Sequence, residues 1–244
     1  MKRASVTLTN LAVGYSRKQP LLSHISCAAS GGVLVALLGR NGTGKTTLLK
    51  TLAGHLERRE GKIEVDGCEL SSFSVRRRAQ HIAYSPSHLQ FEPLTTVHEL
   101  IELGRFATRG WLTPSSRTDQ LAIKSAAEAT RITHLLNSHL AEISDGERQR
   151  ASIAMALAQE ASLLLLDEPT AFLDFLAKRE LVALLHYVAH TQERIILYAT
   201  HDLQLAHHYA DRFLWVEDGT LREVNREFVN KLLIGTVKYA DINK

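Results

Sequence analysis

The chain has 244 residues, 45% of them hydrophobic, which is enough to bury a sizeable core in one large domain or two small ones. Its 29 Lys and Arg against 26 Asp and Glu leave a formal charge of +3, and the longest basic run is residues 76–78, so no general nucleic-acid surface is indicated. The N-terminus turns polar too early for a signal peptide, and the apolar runs are too short to span a membrane. Cys27 and Cys68 lie far apart in sequence and predict free thiols in a reducing, cytoplasmic compartment.

Two segments in the first third of the chain alternate between apolar and polar residues. Residues 6–15 alternate loosely, and residues 62–66 alternate before Gly67. This alternation is typical of half-buried antiparallel strands. It predicts a small antiparallel sheet at one edge of the fold.

Four other segments are continuous apolar runs, at residues 33–38, 163–166, 195–199 and 213–216. Such runs suit central strands of a parallel sheet that helices cover on both faces. Apolar residues at helical spacing mark helices near residues 48–53 and 181–188. Because strands and helices alternate along the chain, the predicted fold class is α/β.

The middle of the chain interrupts this alternation. No strand-like run lies between Pro86 and Ala141; residues 97–104 predict a short helix ending at Gly104, and residues 118–136 predict a polar-faced one. We therefore expect one domain over residues 1–244. In it, residues 1–86 and 160–244 form the α/β core with its edge sheet, and residues 87–159 form an inserted helical subdomain.

A phosphate-binding loop lies between the first apolar run and the first helical pattern. It has the spacing G-x-x-x-x-G-K-T from Gly39 to Thr46. Glycines let backbone N–H groups approach phosphate oxygens at a helix N-terminus; Lys45 would neutralise the β and γ phosphates and the Thr46 hydroxyl would ligate Mg²⁺. The sequence therefore predicts ATP or GTP binding. The predicted contacts are Gly39, Arg40, Asn41, Gly42, Thr43, Gly44, Lys45, Thr46 and Thr47.

Two adjacent acids end the apolar run at residues 163–166. Asp167 stands where the Mg²⁺ shell needs an oxygen ligand, at the carboxyl end of a strand that should lie beside the phosphate-loop strand. Glu168, one residue on, is the candidate general base for the attacking water.

One of the twelve histidines follows a predicted central strand. His201 comes directly after the run at 195–199 and before a helical segment, where it can bond the γ-phosphate and hold the water. Two others, His186 and His190, have the i, i+4 spacing of a metal-binding pair. No metalloprotease carboxylate accompanies them, so we interpret them as ordinary helix residues.

The segment Ile143–Ser144–Asp145–Gly146–Glu147 begins another helix. Ser144 and Glu147 have the spacing of a capping box, in which the serine caps the helix and the glutamate reaches back to it. The N–H groups at such a helix start also suit a phosphate. The segment is thus compatible with both a cap and a binding site.

Four pieces in this order, 39–46, 144–147, 163–169 and His201, resemble the ATP-binding subunits of ABC transporters over essentially the whole chain. The family signature reads L-S-G-G-Q or L-S-G-G-E where this chain has residues 143–147. The resemblance implies that Ser144, Gly146 and Glu147 dock on the γ-phosphate held by a second ATPase chain, so that two chains enclose two ATP molecules. It also implies that Tyr15 stacks on adenine, with a packed strand tyrosine as the alternative, and that Asp174 belongs to the D-loop.

Two positions depart from the family pattern. Ser87 stands where the family has a glutamine; it would reach Mg²⁺ directly or through water, and Gln90 is the alternative substitute. Asp145 replaces a signature glycine. A carboxylate about 6 Å from a phosphate costs roughly 2–3 kcal/mol at an effective dielectric of 20, so we expect Asp145 to point away from the nucleotide and to pair with a nearby arginine or favour the helix dipole.

The predicted helical insert resembles one group within this family. The pattern from Thr96 to Arg105, followed by Gly110 and Trp111, is similar to the ATPases of iron-siderophore, haem and cobalamin importers. Trp111 has an alternative interpretation, as an aromatic side chain packed in the core. The resemblance implies permease subunits in the membrane, a substrate-binding protein, no nucleic acid, and a peripheral location on the cytoplasmic face of the inner membrane. Two other functions stay open: another ABC transporter, or a soluble ATPase for cofactor assembly.

Overall fold

The computed structural model describes residues 4–16, 19–88, 90–110 and 113–235. The strands in these ranges are β1 Ser5–Val13, β2 Leu22–Ser30, β3 Val33–Gly39, β4 Glu60–Val65, β5 Cys68–Glu69, β6 Ile82–Ser85, β7 Leu163–Asp167, β8 Ile195–Thr200, β9 Arg212–Glu217 and β10 Thr220–Val224. The helices are α1 Lys45–Leu52, α2 Val75–His81, α3 Val97–Leu103, α4 Phe106–Arg109, α5 Arg117–Ala129, α6 Asp145–Ala158, α7 Phe175–Thr191, α8 Leu203–Tyr209 and α9 Arg226–Leu233.

The strands form two sheets. The smaller one is antiparallel, with the order β2-β1-β4-β5, as the alternating segments predicted. The larger has the order β10-β9-β3-β8-β7-β6 and is parallel except for the β10 edge. Both predicted sheets and the α/β class are confirmed.

Strand β3 shows why the central runs are apolar at every position. Its residues alternate between two cores: Leu34, Ala36 and Leu38 face one, and Val35 and Leu37 face the other. The first core holds the helical insert together with α7, α8 and α9, and the second lies between the two sheets around α1. A strand covered on both faces has no solvent side, so its sequence carries no alternation.

Helices α3, α5 and α6 pack against one another in the insert. Gly104 ends α3 as predicted, but its φ of −57° is ordinary. Its role is close packing, since a Cβ there would lie 2.3 Å from the Met155 carbonyl oxygen of α6. The predicted helix at 118–136 was too long: α5 ends at Ala129, because Arg131 adopts a left-handed φ of 59° and a separate single-turn 3₁₀ helix follows.

A buried arginine connects the parts of the insert. Arg105, 6% exposed, donates from Nε to Asp119 of α5 at 2.9 Å and from Nη1 to the Ala158 carbonyl and the Glu160 carboxylate at 2.5 and 2.6 Å. These bonds tie the end of α3 to α5 and to the end of α6. Among the described residues, no helix has the length and apolar composition needed to cross a membrane.

The carboxyl ends of β3, β7 and β8 meet at one edge of the large sheet. Leu38 pairs in register with Thr200, and Asp167 with Ala199. The phosphate loop follows β3, Asp167 is the last residue of β7 with Glu168 next to it, and His201 follows β8. The topology therefore brings together three segments that are far apart in sequence. The prediction that β7 adjoins β3 was wrong, because β8 lies between the two strands.

Candidate nucleotide-binding and hydrolysis site

The loop between β3 and α1 has the backbone of an anion cradle. Gly44, the residue before α1, has a φ of 106°, in a region that suits glycine. A Cβ on Gly39 would lie 2.6 Å from the Val216 carbonyl oxygen, so only glycine fits where the loop leaves the sheet. The N-terminus of α1 points its free N–H groups into the loop, which favours a bound phosphate.

Lys45 lies inside this loop. Its Nζ donates to the carbonyl oxygens of Gly39 at 2.7 Å and of Arg40 at 2.8 Å, and its side chain is almost fully buried. Burial lowers the pKa of Lys45, and the carboxylates of Glu168 and Asp167 oppose that shift. The ammonium group is thus held at the loop, with both acids close enough to act on it.

Asp167 and Thr46 present oxygen atoms side by side. The Thr46 hydroxyl donates to Asp167 Oδ1 at 3.1 Å. Burial raises the pKa of Asp167, while the hydrogen bond from Thr46 and the charges of Lys50 and Lys45 lower it. A buried carboxylate and a hydroxyl beside a phosphate loop are the donor set that suits Mg²⁺.

Glu168 has an unusual backbone conformation. Its φ is 48°, which is strained for a residue with a side chain, and its N–H donates to the Ala199 carbonyl at 3.1 Å. The carboxylate Oε2 lies 3.0 Å from Nδ1 of His201. Burial raises the pKa of Glu168, against the lowering charges of His201 and Lys45, so the group is a stronger base than an exposed glutamate.

Lys45, Asp167 and Glu168 line a cavity of about 400 Å³ together with Tyr15 and Leu21. The predicted contacts Asn41, Gly42, Gly44, Thr46 and Thr47 also line it, whereas Gly39, Arg40, Thr43 and His201 do not. Tyr15 is 67% exposed, which excludes the packed alternative and leaves its ring accessible at the cavity. Leu21 did not stand out in the sequence. It comes beside Tyr15 because its N–H bonds the Val13 carbonyl at 2.8 Å, a contact that the sequence pattern does not show.

The start of α6 is a capping box, as predicted. The Ser144 hydroxyl accepts the Glu147 N–H at 3.3 Å, and the Glu147 carboxylate accepts the Ser144 N–H at 2.8 Å. Next to the cap, a Cβ on Gly146 would lie 3.1 Å from the Phe172 carbonyl oxygen and 3.3 Å from Leu173 Cδ2. Gly146 therefore keeps the start of α6 against the segment that leads to α7.

Asp145 points to an arginine, as its sequence position predicted. Its carboxylate is mostly exposed and forms an ion pair with Arg148, three residues on. Arg148 also donates to the carbonyls of Leu140 at 3.0 Å and Ile143 at 2.5 Å. The charge of Asp145 is thus neutralised within its own helix.

The family model described as ABC transporter matches residues 22–171, which include the phosphate loop, the α6 cap and both acids. The chain belongs to the ABC transporter family. It is an ATPase domain of that family and it binds ATP. Its α/β fold agrees with this assignment.

Relatives and a solved structure support the assignment over most of the chain. A petrobactin import ATP-binding protein of Bacillus anthracis is 34% identical over 198 residues, 81% of this chain and 72% of the relative. A zinc transport system ATP-binding protein of Streptococcus pneumoniae is 32% identical over 210 residues, 85% and 87%. The solved structure of an ATP-binding subunit of an ABC transporter superposes with a TM-score of 0.81 at 27% identity, covering 96% of this chain and 99% of that one.

Ser87 and Gln90, the two candidates for the glutamine position of the ABC transporter pattern, do not line the nucleotide cavity. Ser87 lines a second cavity of about 390 Å³, together with Asp145, Arg148 and Gln149. Gln90 is exposed. A magnesium contact by either residue stays a prediction, and Trp111 lies outside the described residues.

Asp174 caps α7 in this ABC transporter chain. Its Oδ1 accepts the Ala177 N–H at 2.8 Å, and Leu173 before it is buried. Phe175 and Leu176, directly after it, are 63% and 67% exposed. The predicted D-loop therefore combines a fixed backbone with exposed apolar side chains.

Proposed function

We propose that this chain is the ATP-hydrolysing subunit of an ABC importer that moves an iron-siderophore, haem or cobalamin-type chelate through a separate membrane permease. The observation that supports ATP hydrolysis is that three strand ends meet at one edge of the large sheet. They bring Lys45, the Thr46–Asp167 pair and Glu168 to one cavity, and Nδ1 of His201 lies 3.0 Å from the Glu168 carboxylate.

The residues of the cavity suit ATP·Mg²⁺. Thr46 and Asp167 would hold the Mg²⁺, which supplies charge neutralisation between the phosphates when bound. Lys45 neutralises phosphate charge, and the N–H groups of the α1 start orient the phosphates. Tyr15 offers an aromatic face for the adenine.

Glu168 and His201 act on the water that attacks the γ-phosphate. Glu168, with its raised pKa, accepts a proton from that water, and His201 positions the γ-phosphate and the glutamate side chain. Their contact at 3.0 Å needs no rearrangement to bring the two groups together. Positioning and charge neutralisation supply most of the rate.

We infer that the site is completed by a second ATPase chain. Ser144, Gly146 and Glu147 lie at the start of α6, where free N–H groups suit the γ-phosphate of the partner. Asp174 and its exposed neighbours lie at the edge that would meet that partner. ATP binding would then close the pair, and hydrolysis would reopen it.

The helical insert would transmit this closure to the permease. The petrobactin relative and the Thr96–Arg105 pattern support a chelate as cargo. On this proposal the chain sits on the cytoplasmic face of the inner membrane with permease subunits and a substrate-binding protein. The zinc relative supports the second candidate, an ATPase that serves another ABC transporter.

The hydrolysis is tested with Glu168→Gln. This change keeps the size of the side chain but removes the base, so we expect ATP binding to persist and turnover to fall by about a hundredfold or more. Nucleotide binding is measured with a fluorescent ATP analogue and turnover by phosphate release. Lys45→Ala is the matched variant that should lose binding; wild-type turnover by Glu168→Gln would remove Glu168 from its role.

The cargo is tested with the chain and its permease reconstituted in vesicles. Hydrolysis is measured with a binding protein loaded with ferric siderophore, haem, cobalamin or Zn²⁺ in turn. We expect one of the three chelates to stimulate ATP hydrolysis and Zn²⁺ not to stimulate it. Stimulation by Zn²⁺ alone would support the second candidate, and failure to associate with any membrane protein would favour a cofactor-assembly ATPase.

A further inference from the structure

A second group of metal-binding side chains lies away from the nucleotide cavity. His186 and His190 are one turn apart on α7, with ring centroids 4.3 Å apart. Asp211, directly before β9, joins them, and one ligand atom from each of the three residues lies within 4.8 Å of the others. The sequence near the pair shows no carboxylate of the metalloprotease pattern, but the fold supplies one from 21 residues beyond His190.

Asp211 is held in place by the backbone of β3. Its N–H donates to the Leu34 carbonyl at 2.9 Å, and its Oδ2 accepts the Leu34 N–H at 2.7 Å. His190 Nε2 lies 3.1 and 3.2 Å from the two carboxylate oxygens. In known metal sites, hydrogen-bond partners around the ligands hold each ligand in the orientation that the metal needs. The backbone of Leu34 holds the Asp211 carboxylate in the same way, so this carboxylate is a preorganised ligand.

The bonding of His186 is incomplete in this arrangement. Its Nδ1 is shielded from solvent and has no hydrogen-bond partner in the described part of the chain. A shielded ring nitrogen without a partner is costly, and a metal ion bound to this nitrogen would offset that cost.

We propose that His186, His190 and Asp211 bind one divalent transition-metal ion of the Zn²⁺ type. Two imidazoles and one carboxylate suit Zn²⁺, with water completing the coordination, whereas Mg²⁺ and Ca²⁺ prefer all-oxygen sites. The cluster lies where β3 and β9 begin, at the opposite edge of the sheet from the nucleotide cavity. The ion therefore joins the end of α7 to the sheet and is separate from the Mg²⁺ of hydrolysis.

The test uses the full chain without an affinity tag, after treatment with a chelator that is then removed. Zn²⁺ at about a hundredfold above its Kd should raise the unfolding temperature by about 5–10 °C, and elemental analysis after dialysis should find about one ion per chain. Mg²⁺ at the same concentration should not reproduce the shift. No shift and no retained Zn²⁺ in the wild type would overturn the proposal.

The variants locate the ion. His186→Gln/His190→Gln should lose the Zn²⁺-dependent shift while keeping Mg²⁺-dependent ATPase activity, and His207→Gln/His208→Gln on α8 is the control that should keep both. Asp211→Asn, which leaves an oxygen for the Leu34 N–H, should weaken Zn²⁺ binding by about tenfold or more. If the double variant folds poorly, the Zn²⁺-dependent shift is measured in the single variant His190→Gln, which changes an exposed residue, and this result decides the test. A shift that survives these changes places the ion elsewhere and overturns the proposal.

Discussion

Asp145 brings a carboxylate to the helix start that should face the partner's γ-phosphate. Its ion pair with Arg148 shows how the chain accommodates this charge, since the carboxylate is directed along α6. An exposed ion pair of this kind contributes about 0–1 kcal/mol to stability. The Asp145–Arg148 pair therefore orients the carboxylate and contributes little to the stability of the fold.

We therefore expect Asp145→Gly to leave the ATPase rate within about twofold of the wild type or to raise it, because the carboxylate that it removes is already paired with Arg148. Phosphate release at saturating ATP is the measurement. Ser144→Ala is the matched change in the same turn; it removes the cap and should cost about 1 kcal/mol of stability. A severe loss of activity in Asp145→Gly would show that the carboxylate takes part directly.

Local patterns predicted much of the candidate site. The phosphate loop is set by eight consecutive residues and the Ser144 cap by two residues one turn apart, so spacing alone identifies them. The strained φ of Glu168, whose N–H bonds Ala199 of β8, and the bond from the Leu21 N–H to Val13 of β1 depend on neighbouring strands. No single-segment pattern contains that information.

At the scale of elements, Arg105 holds the helical insert together. Its guanidinium, buried beside Asp119, joins α3, α5 and α6. The sequence showed Arg105 only as part of a family-like pattern, because its three partners lie 14, 53 and 55 residues away. Long-range pairing of this kind also explains why Asp211 was missed.

Arg105→Met should destabilise the chain by about 3–5 kcal/mol, since it leaves Asp119 buried without a cation. Arg105→Met/Asp119→Leu should recover part of that loss, because it removes the uncompensated charge but also the bond from the Ser116 N–H to the Asp119 carboxylate. Urea unfolding monitored by circular dichroism measures both. Lys124→Met, in an exposed ion pair on α5, is the control and should change stability by less than about 0.5 kcal/mol. If Arg105→Met changes stability as little as this control, Arg105 does not hold the insert together.

The same network predicts a pH dependence. Hydrogen bonds from Ser116 and the charged Arg105 guanidinium lower the pKa of Asp119 to about 2. A depressed pKa in the folded state stabilises the fold above the ordinary value near 4, and that stabilisation is lost as the pH falls from about 4 to about 2. In Asp119→Asn, the free energy of unfolding should depend less steeply on pH over this window; an unchanged slope would show that Asp119 does not titrate with folding.

For the whole molecule, the exposed apolar residues after the D-loop indicate where a second chain would bind. Phe175 and Tyr187 lie on the same helix and are 63% and 64% exposed, but only Phe175 adjoins Asp174. Burying a phenylalanine contributes about 1.5–3 kcal/mol. If two chains meet at the D-loop, Phe175 becomes covered in the dimer and Tyr187 does not.

Phe175→Ser, made in the Glu168→Gln chain, should therefore weaken the ATP-dependent dimer by about ten- to a hundredfold. Tyr187→Ser in the same chain should leave the dimer unchanged, because it removes a comparable exposed ring about twelve residues further along α7. Light scattering over a range of protein concentrations, with and without ATP, measures the association. Equal effects of the two changes would mean that lost apolar surface alone matters, and no effect of Phe175→Ser would place the chain–chain contact away from the D-loop.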